Sequence, residues 1–334
     1  MTDAVREKQD KLSFDAALRA VRERLERALT QAPPVIRAYT AHLAGAQGKM
    51  IRAHALLACA QGEDGLIDPD AAAFAAGIEL LHLATLVHDD VMDDADTRRG
   101  IPTLQRRFGR KTAVICGDYL LSAALRLAAS VPDRDRFVQL ELPDYVGRVC
   151  MGELRQNIHN GDFGLGVGGY LRIIRGKTAA LFECSFLAGT VLATGDKAQR
   201  DGYARLGRYI GMIFQLTDDC IDYSLDAATA KKPVQSDYAQ GVVTLPLIHA
   251  LAHDPELRAR VAREKLDPVE VGERVRGSGG LDYTRWLARR YYGKAEALLE
   301  ALNPAPEKHE RLRAILEKSY CGPRPASQCD IGGN

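Results

Sequence analysis

Residues His82–Gly100 read HLATLVHDDVMDDADTRRG, and the fold is read outward from them. An apolar run arrives at Asp89-Asp90, Asp93, Asp94 and Asp96 follow, then Arg98-Arg99, and Gly100-Ile101-Pro102 ends the stretch. On a helix, Asp89 and Asp93 lie four apart, with their carboxylates on one face about one turn from each other. Like charges at that spacing destabilise an isolated helix, so positive charge must offset them. A divalent cation meets that need, and Mg²⁺ takes one or two carboxylates together with phosphate oxygens.

The apolar run Ala71–Val87 that feeds this cluster carries Glu79 and His82. Its length falls short of a bilayer span, which makes it a buried core helix. Upstream, Leu12, Phe14, Leu18, Val21, Leu25 and Leu29 recur at spacings of mostly three and four, as an amphipathic helix requires. Pro33-Pro34 breaks it, and helical runs follow to about Ala44 and over Lys49–Ala60. Downstream, helices are expected over 112–130, 135–156, 177–195 and 198–223, and then to about residue 320. Residues 157–169 and the polar stretch 224–242 are expected to be loops, the second long enough to be functional. No alternating segment rises to a strand, and there is no linker or tandem repeat. The expectation is all-α: one domain over 1–320, a bundle of about ten or more helices around a central apolar cavity, with 321–334 a disordered tail.

Forty-five basic and forty-four acidic side chains leave a net charge of +1, which gives no electrostatic ground for nucleic acid binding. The seven cysteines form no CxxC pair and read as reduced thiols. The charged N-terminus lacks the apolar region of a signal peptide, so a soluble, cytoplasmic protein is expected.

FQLTDDCID (214–222) repeats the opening pattern, with Asp218, Asp219 and Asp222 spaced like Asp89, Asp90 and Asp93. One such cluster is an ordinary solvated helix end; two, each closing a long apolar helix, point to a metal-dependent polyanion site if the helices face each other. Fixed cations are at hand: Lys49 and Arg52 share a face, Arg98-Arg99 follow the first cluster, and Lys231-Lys232 follow the second. Lys177-Thr178 is expected to open a helix whose free N–H groups favour phosphate. Arg175-Gly176-Lys177-Thr178 is no P-loop, because Leu171 stands where the first glycine belongs and no strand precedes it. Together these groups suggest a diphosphate site.

These residues resemble the all-trans isoprenyl diphosphate synthases, in particular the catalytic subunits of long-chain (hexaprenyl- or heptaprenyl-type) members. The motifs fall in family order: GKMIR (48–52), HLATLVHDDVMDDADTRRGIPT (82–103), GDYLLS (117–122), Gly152-Glu153 with Gln156, Lys177-Thr178, FQLTDDCID, KKPVQSD (231–237) and TLPL (244–247). The resemblance implies the isoprenoid synthase fold and a trans-polyprenyl diphosphate synthase, a prenyltransferase. It implies about three Mg²⁺ ions on Asp89, Asp90, Asp93 and Asp218, with Asp219 and Asp222 in support. Arg98, Lys177, Gln215 and Lys232 would meet the allylic diphosphate, with Thr178 beside it. Lys49, Arg52, His82 and Arg99 would hold isopentenyl diphosphate, with Phe214 near its hydrocarbon end. His82 alone would read as a satisfied core histidine; within the motif it reads as a ligand. The sequence departs from the family at Met50, Ile101, Gln235 and Val243, and no metal ligand is lost.

The resemblance also bears on product length. Ala84 and Thr85, about one turn before Asp89, are small where shorter-chain relatives carry an aromatic, and Leu81 lies a further turn down. A product of about C30–C40, made on a farnesyl or geranylgeranyl primer for a quinone side chain, is expected, because small side chains leave the tunnel open past its first turn. A homodimer, or a heterodimer with a small regulatory subunit, is expected, with the product handed to the membrane. The alternatives are a geranylgeranyl-type synthase and a class I terpene cyclase, against which Lys49, Arg52 and His82 argue.

Overall fold

A computed structural model describes residues 11–45, 48–194, 196–224 and 236–321. The described residues are helical almost throughout, as expected, and they group into two compact units. The first comprises Met1–Leu142, Cys184–Ala204 and Pro304–Leu312; the second comprises Pro143–Glu183, Arg205–Asn303 and Arg313–Asn334.

The first unit opens with α1 (Phe14–Thr30), α2 (Pro34–Ala44), α3 (Ile51–Ala60) and α4 (Asp70–Met92). Ser13 accepts a hydrogen bond from the Ala16 amide to cap α1, and Pro34 at the first turn of α2 has no amide to leave unsatisfied. Helix α4 is apolar nearly all round; Leu80, Phe74 and the alanines from Ala71 to Ala76 are buried. At 23 residues it is long and apolar enough to cross a bilayer, which corrects the expectation that it is too short; 67% of its most apolar stretch is buried inside the fold. A hairpin follows, β1 (Thr97–Arg98) against β2 (Ile101–Pro102), and here the expectation of no strand is corrected. Arg99 and Gly100 both take positive φ, as a type I′ turn demands.

Next come α5 (Leu104–Phe108), α6 (Arg110–Ala129) and α7 (Arg134–Gln139). The run predicted over 135–156 is thus two helices, α7 and α8 (Leu142–Ile158). A Cβ on Gly77 would sit 3.1 Å from the Ala124 carbonyl oxygen, so Gly77 is the residue that lets α4 and α6 cross closely.

In the second unit, α9 (Val167–Ile174) runs on through a π-helical turn, Arg175–Ala179, into the start of α10 (Ala180–Ala193), whose residues from Cys184 on belong to the first unit. Helix α11 (Lys197–Ser224) carries the second acidic cluster at its end. Then follow α12 (Ser236–Ala239), α13 (Leu245–His253), α14 (Pro255–Val261), α15 (Pro268–Gly277), α16 (Gly280–Leu302) and α17 (Pro306–Cys321). The core of this unit gathers Tyr170, Leu216, Tyr223, Leu245, Leu247 and Val271. Cys59, Cys116, Cys150, Cys184 and Cys220 form no disulfide, whereas Cys321 is disulfide-bonded, contrary to the expectation of reduced thiols throughout. The expected tail beyond Cys321, and Lys231, Lys232 and Gln235, lie outside the described residues.

Candidate active site

The first acidic cluster sits where α4 ends. Asp93 is the C-cap, its amide bonded to the Asp89 carbonyl, so the helix stops one residue short of the full DDxxD spacing. Asp93 is exposed and Asp89 half-buried, while Asp90 is 5% exposed. The Arg98 Nε donates to Asp90 Oδ1 at 2.6 Å. Burial pushes the Asp90 carboxyl up, and the Arg98 guanidinium offsets that. The structure therefore pairs Asp90 with Arg98, the two residues that the resemblance assigns to metal and to diphosphate. The turn after α4 is pinned by Thr103 Oγ1, which donates to the Ala95 carbonyl at 2.7 Å, and by Gln105, which donates to the same oxygen at 3.0 Å.

The cationic residues of the first unit surround the start of α3. Met50 is the N-cap, at φ 51°, and its burial suits the apolar side chain at this departure from the family. A Cβ at Gly48 would lie 2.5 Å from Arg99 Nη2, so the glycine of GKMIR makes room for that guanidinium. Burial, set partly against Glu79 and aided by Arg99, brings the half-buried Arg52 down to about 10. His82 is held well below the ordinary imidazole range, first by burial and then by Arg52, Arg99 and Arg98. It is a neutral ring among cations, able to donate one hydrogen bond and accept another. Lys49 is exposed at the same helix start.

In the second unit the motifs Gly152-Glu153 and Lys177-Thr178 explain each other. A Cβ on Gly152 would fall 2.1 Å from the Lys177 amide nitrogen, and one on Gly176 would fall 2.9 Å from the Arg148 carbonyl. Two glycines thus let α8 press against the π-helical turn, and Glu153 reaches the Lys177 ammonium at 2.8 Å. Lys177 lies inside a continuous helix; the expectation that Lys177-Thr178 opens one with free N–H groups is corrected. Its ammonium, held by Glu153, is what it can offer an anion. A π-helical turn within an α-helix often marks a functional site.

From Thr178 a chain of hydrogen bonds runs to the second cluster. Thr178 Oγ1 donates to Gln215 Oε1 at 2.6 Å, Gln215 Nε2 donates to Asp219 Oδ1 at 2.8 Å, and the Tyr170 hydroxyl donates to Asp219 Oδ2. Gln215 thus links Thr178 to Asp219 and orients that carboxylate. Burial pushes Asp219 up to about 7, the Tyr170 and Gln215 bonds pull against it, and Asp218 and Asp222 add to it. Asp218 is exposed and Asp222 half-buried. Phe214 packs on Phe182 with ring centroids 5.4 Å apart.

Asp237 and Tyr170 stand in this cluster without having been singled out by the sequence. The Asp237 amide donates to Asp222 Oδ2 at 3.3 Å, and its carboxyl is raised well above the usual range by burial and by Asp222, Asp219 and Asp218. Asp237 ends the KKPVQSD motif, a signal that was available; Tyr170 carried none.

On α4, Ala84 is 2% and Leu81 4% exposed. Ala84 follows Gly77 by seven residues and precedes His88 by four, and a Cβ on Gly117 of α6 would collide with the His88 ring. Ala84 therefore lies on the α6-facing stripe of α4. Thr85 is half-buried, its hydroxyl donating to the His82 carbonyl at 2.8 Å.

Among the described residues no three acidic, histidine or cysteine side chains form a ready metal cage. The donors at both clusters are carboxylate oxygens, which suits Mg²⁺, an ion that binds through few protein carboxylates plus substrate phosphates. Asp219, buried beside two other carboxylates, has an electrostatic need for a cation.

A family model described as polyprenyl synthetase matches residues 33–275. Heptaprenyl diphosphate synthase component 2 of Geobacillus stearothermophilus is 36% identical over 319 residues, covering 94% of this chain and 97% of that protein. Nonaprenyl diphosphate synthase of Mycobacterium tuberculosis is 32% identical over 308 residues, covering 88% and 90%. The crystal structure of heptaprenyl diphosphate synthase from Staphylococcus aureus superposes with a TM-score of 0.84 at 30% identity, covering 93% of this chain and 99% of that one.

Proposed function

The chain belongs to the polyprenyl synthetase family, and on that premise we propose that it condenses isopentenyl diphosphate with an allylic diphosphate, farnesyl or geranylgeranyl, to give a longer all-trans polyprenyl diphosphate. Asp89 and Asp93 in the first unit, and Asp218 in the second, are the carboxylates that would hold Mg²⁺, whose charge offsets that developing on the diphosphate as the allylic C–O bond breaks. Lys177, fixed by Glu153, adds a preorganised cation for the same charge. Lys49, Arg52 and Arg99, with neutral His82, bind and orient isopentenyl diphosphate so that its double bond meets the allylic carbon. Apolar walls exclude water that would quench the cation.

The observation that carries this reading is the grouping of Arg52, Arg99 and His82 in the unit where the last turns of α4 also carry Asp89. An enzyme that ionises a single diphosphate has no use for that second cationic subsite. The test is direct: incubate the purified chain with Mg²⁺, isopentenyl diphosphate and either primer, and size the products. Elongation is expected, and cyclised or hydrolysed primer alone would overturn it.

A product of about C30–C40 for a quinone side chain is supported by the names of the curated relatives and by the small Ala84 and Thr85 about one turn before Asp89. A second chain is supported by the relative named as component 2. It is supported too by Met151, Leu154 and Ile158, which recur at spacings of three and four on the exposed face of α8, as a helix seeking a partner presents. That second chain is another copy or a small regulatory subunit. The enzyme works in the cytoplasm and releases its apolar product to the membrane.

A further inference from the structure

Glu79 lies midway along α4, three residues before His82, in a helix whose other residues from Ala71 to Leu81 are all buried and uncharged. Its Oε1 accepts a hydrogen bond at 2.9 Å from the amide of Ala53, in the first turn of α3. That turn has no cap of its own, because Met50 offers no side-chain hydrogen bond. Glu79 thus caps a neighbouring helix across the fold, and α3 is the helix that carries Arg52 and starts beside Lys49. The same carboxylate faces Arg52, His54 and Arg99, whose charges oppose the effect of burial on it. Arg52 and Arg99 in turn repel one another and are each steadied by Glu79.

We propose that Glu79 is the positioning residue of the isopentenyl diphosphate subsite, holding Arg52 and Arg99 in register at the start of α3 while binding neither substrate nor metal. This rests on the reading that Arg52 and Arg99 receive a diphosphate. A carboxylate close to an incoming anion opposes binding by simple Coulomb repulsion. Its use lies in preorganisation: without it two neighbouring guanidiniums repel, and Arg99, on an exposed hairpin at positive φ, is released into water.

The opposing effects give the test its sign. Glu79→Gln keeps the size and the acceptor for the Ala53 amide and removes the charge; Glu79→Asp keeps the charge. Binding of isopentenyl diphosphate alone is followed by calorimetry, with no allylic substrate present, beside thermal unfolding of each variant. Positioning by charge predicts affinity about ten-fold weaker in the Gln variant and within about three-fold of wild type in the Asp variant, with the KM of the allylic substrate unmoved. Equal or tighter binding by the Gln variant would overturn the proposal, since only the repulsion would then have been removed. Equal losses in both variants would also overturn it, leaving a packing role. Should the Gln variant fail to fold, the Asp variant decides alone: ten-fold weaker binding in a folded Asp variant sinks the idea. A wild-type chain that binds isopentenyl diphosphate and does not elongate, alone or with cell extract added to supply a partner subunit, would overturn the proposed activity and leave the positioning role standing; a wild-type chain that does not bind it would overturn both.

Discussion

The Tyr170 hydroxyl donates to Oδ2 of Asp219, while Gln215 donates to the other oxygen of the same carboxylate. Both partners pull the carboxyl back toward ionisation against the burial that raises it. Tyr170→Phe removes one of the two. The loss should cost roughly 1–3 kcal/mol, the range for a buried group losing a hydrogen bond to an acid. It should also raise the Mg²⁺ concentration needed for half-maximal activity, because the remaining carboxylate is harder to ionise. Urea unfolding reads the first effect and an Mg²⁺ titration of the elongation rate reads the second. An unchanged Mg²⁺ requirement would remove Tyr170 from the site.

Gly152→Ala tests the close crossing of α8 and the π-helical turn. Its new Cβ would meet the Lys177 backbone nitrogen, and neither backbone can yield as a flexible side chain would. A destabilisation of at least about 1–3 kcal/mol is expected from overpacking. Displacing Glu153 from Lys177 should lower kcat along with stability. Gly147→Ala, at an exposed position on the same helix with no heavy atom near its Cβ, is the control: it should leave kcat unchanged and raise stability by roughly 0.5–1 kcal/mol, the gain of replacing a mid-helix glycine.

Much of this was legible before any coordinates. Two DDxxD clusters, each after a long apolar run, mark the ends of α4 and α11, and 3.6-residue periodicity places most helices within a few residues. The losses have distinct physical causes. The hairpin at Arg98–Ile101 is too short to show alternation, although Arg-Gly at its turn is a weak hint. The joining of α9 to α10 was hidden because Gly176 reads as a breaker, whereas its missing Cβ serves the contact with α8. Pairing of Asp90 with Arg98, and of Lys177 with Glu153, is tertiary and leaves no local spacing to read. Gln215 and Asp219 are the exception. Their separation by four residues is the spacing at which helix side chains meet, so that bond could have been anticipated.

His82 gives a pH prediction whose sign follows from its surroundings. Its folded-state pKa lies well below 6.5, so on acidification the unfolded chain takes up a proton that the native state refuses. Native stability should therefore fall as pH drops through and below 6.5. Glu79, raised by burial, contributes the opposite slope, with stability lost as pH rises from 4.5. Comparing wild type with His82→Gln isolates the first term. Between pH 7 and pH 5 the variant should lose less stability than wild type, by a slope of at most about one proton. Denaturant unfolding across that range measures it, and parallel curves for the two proteins would show that His82 is not held neutral.

Ala84→Phe addresses how far the product grows. Ala84 is buried on the α6-facing stripe of α4, about one turn from Asp89. A phenyl ring there must either displace α6 or fill any space an elongating chain would use. Overpacking should cost roughly 1–3 kcal/mol, so the variant needs its fold checked by circular dichroism before products are sized. If the chain elongates past this point, the folded variant should make shorter products while the rate of the first condensation is largely kept, since the aspartates and the cations at α3 are untouched. The same change at Leu81, one turn deeper, should shorten products less than the change at Ala84, because more of the growing chain passes before it meets the ring. An unchanged product distribution in a folded Ala84→Phe variant would place the growing chain elsewhere and remove Leu81, Ala84 and Thr85 from the control of length.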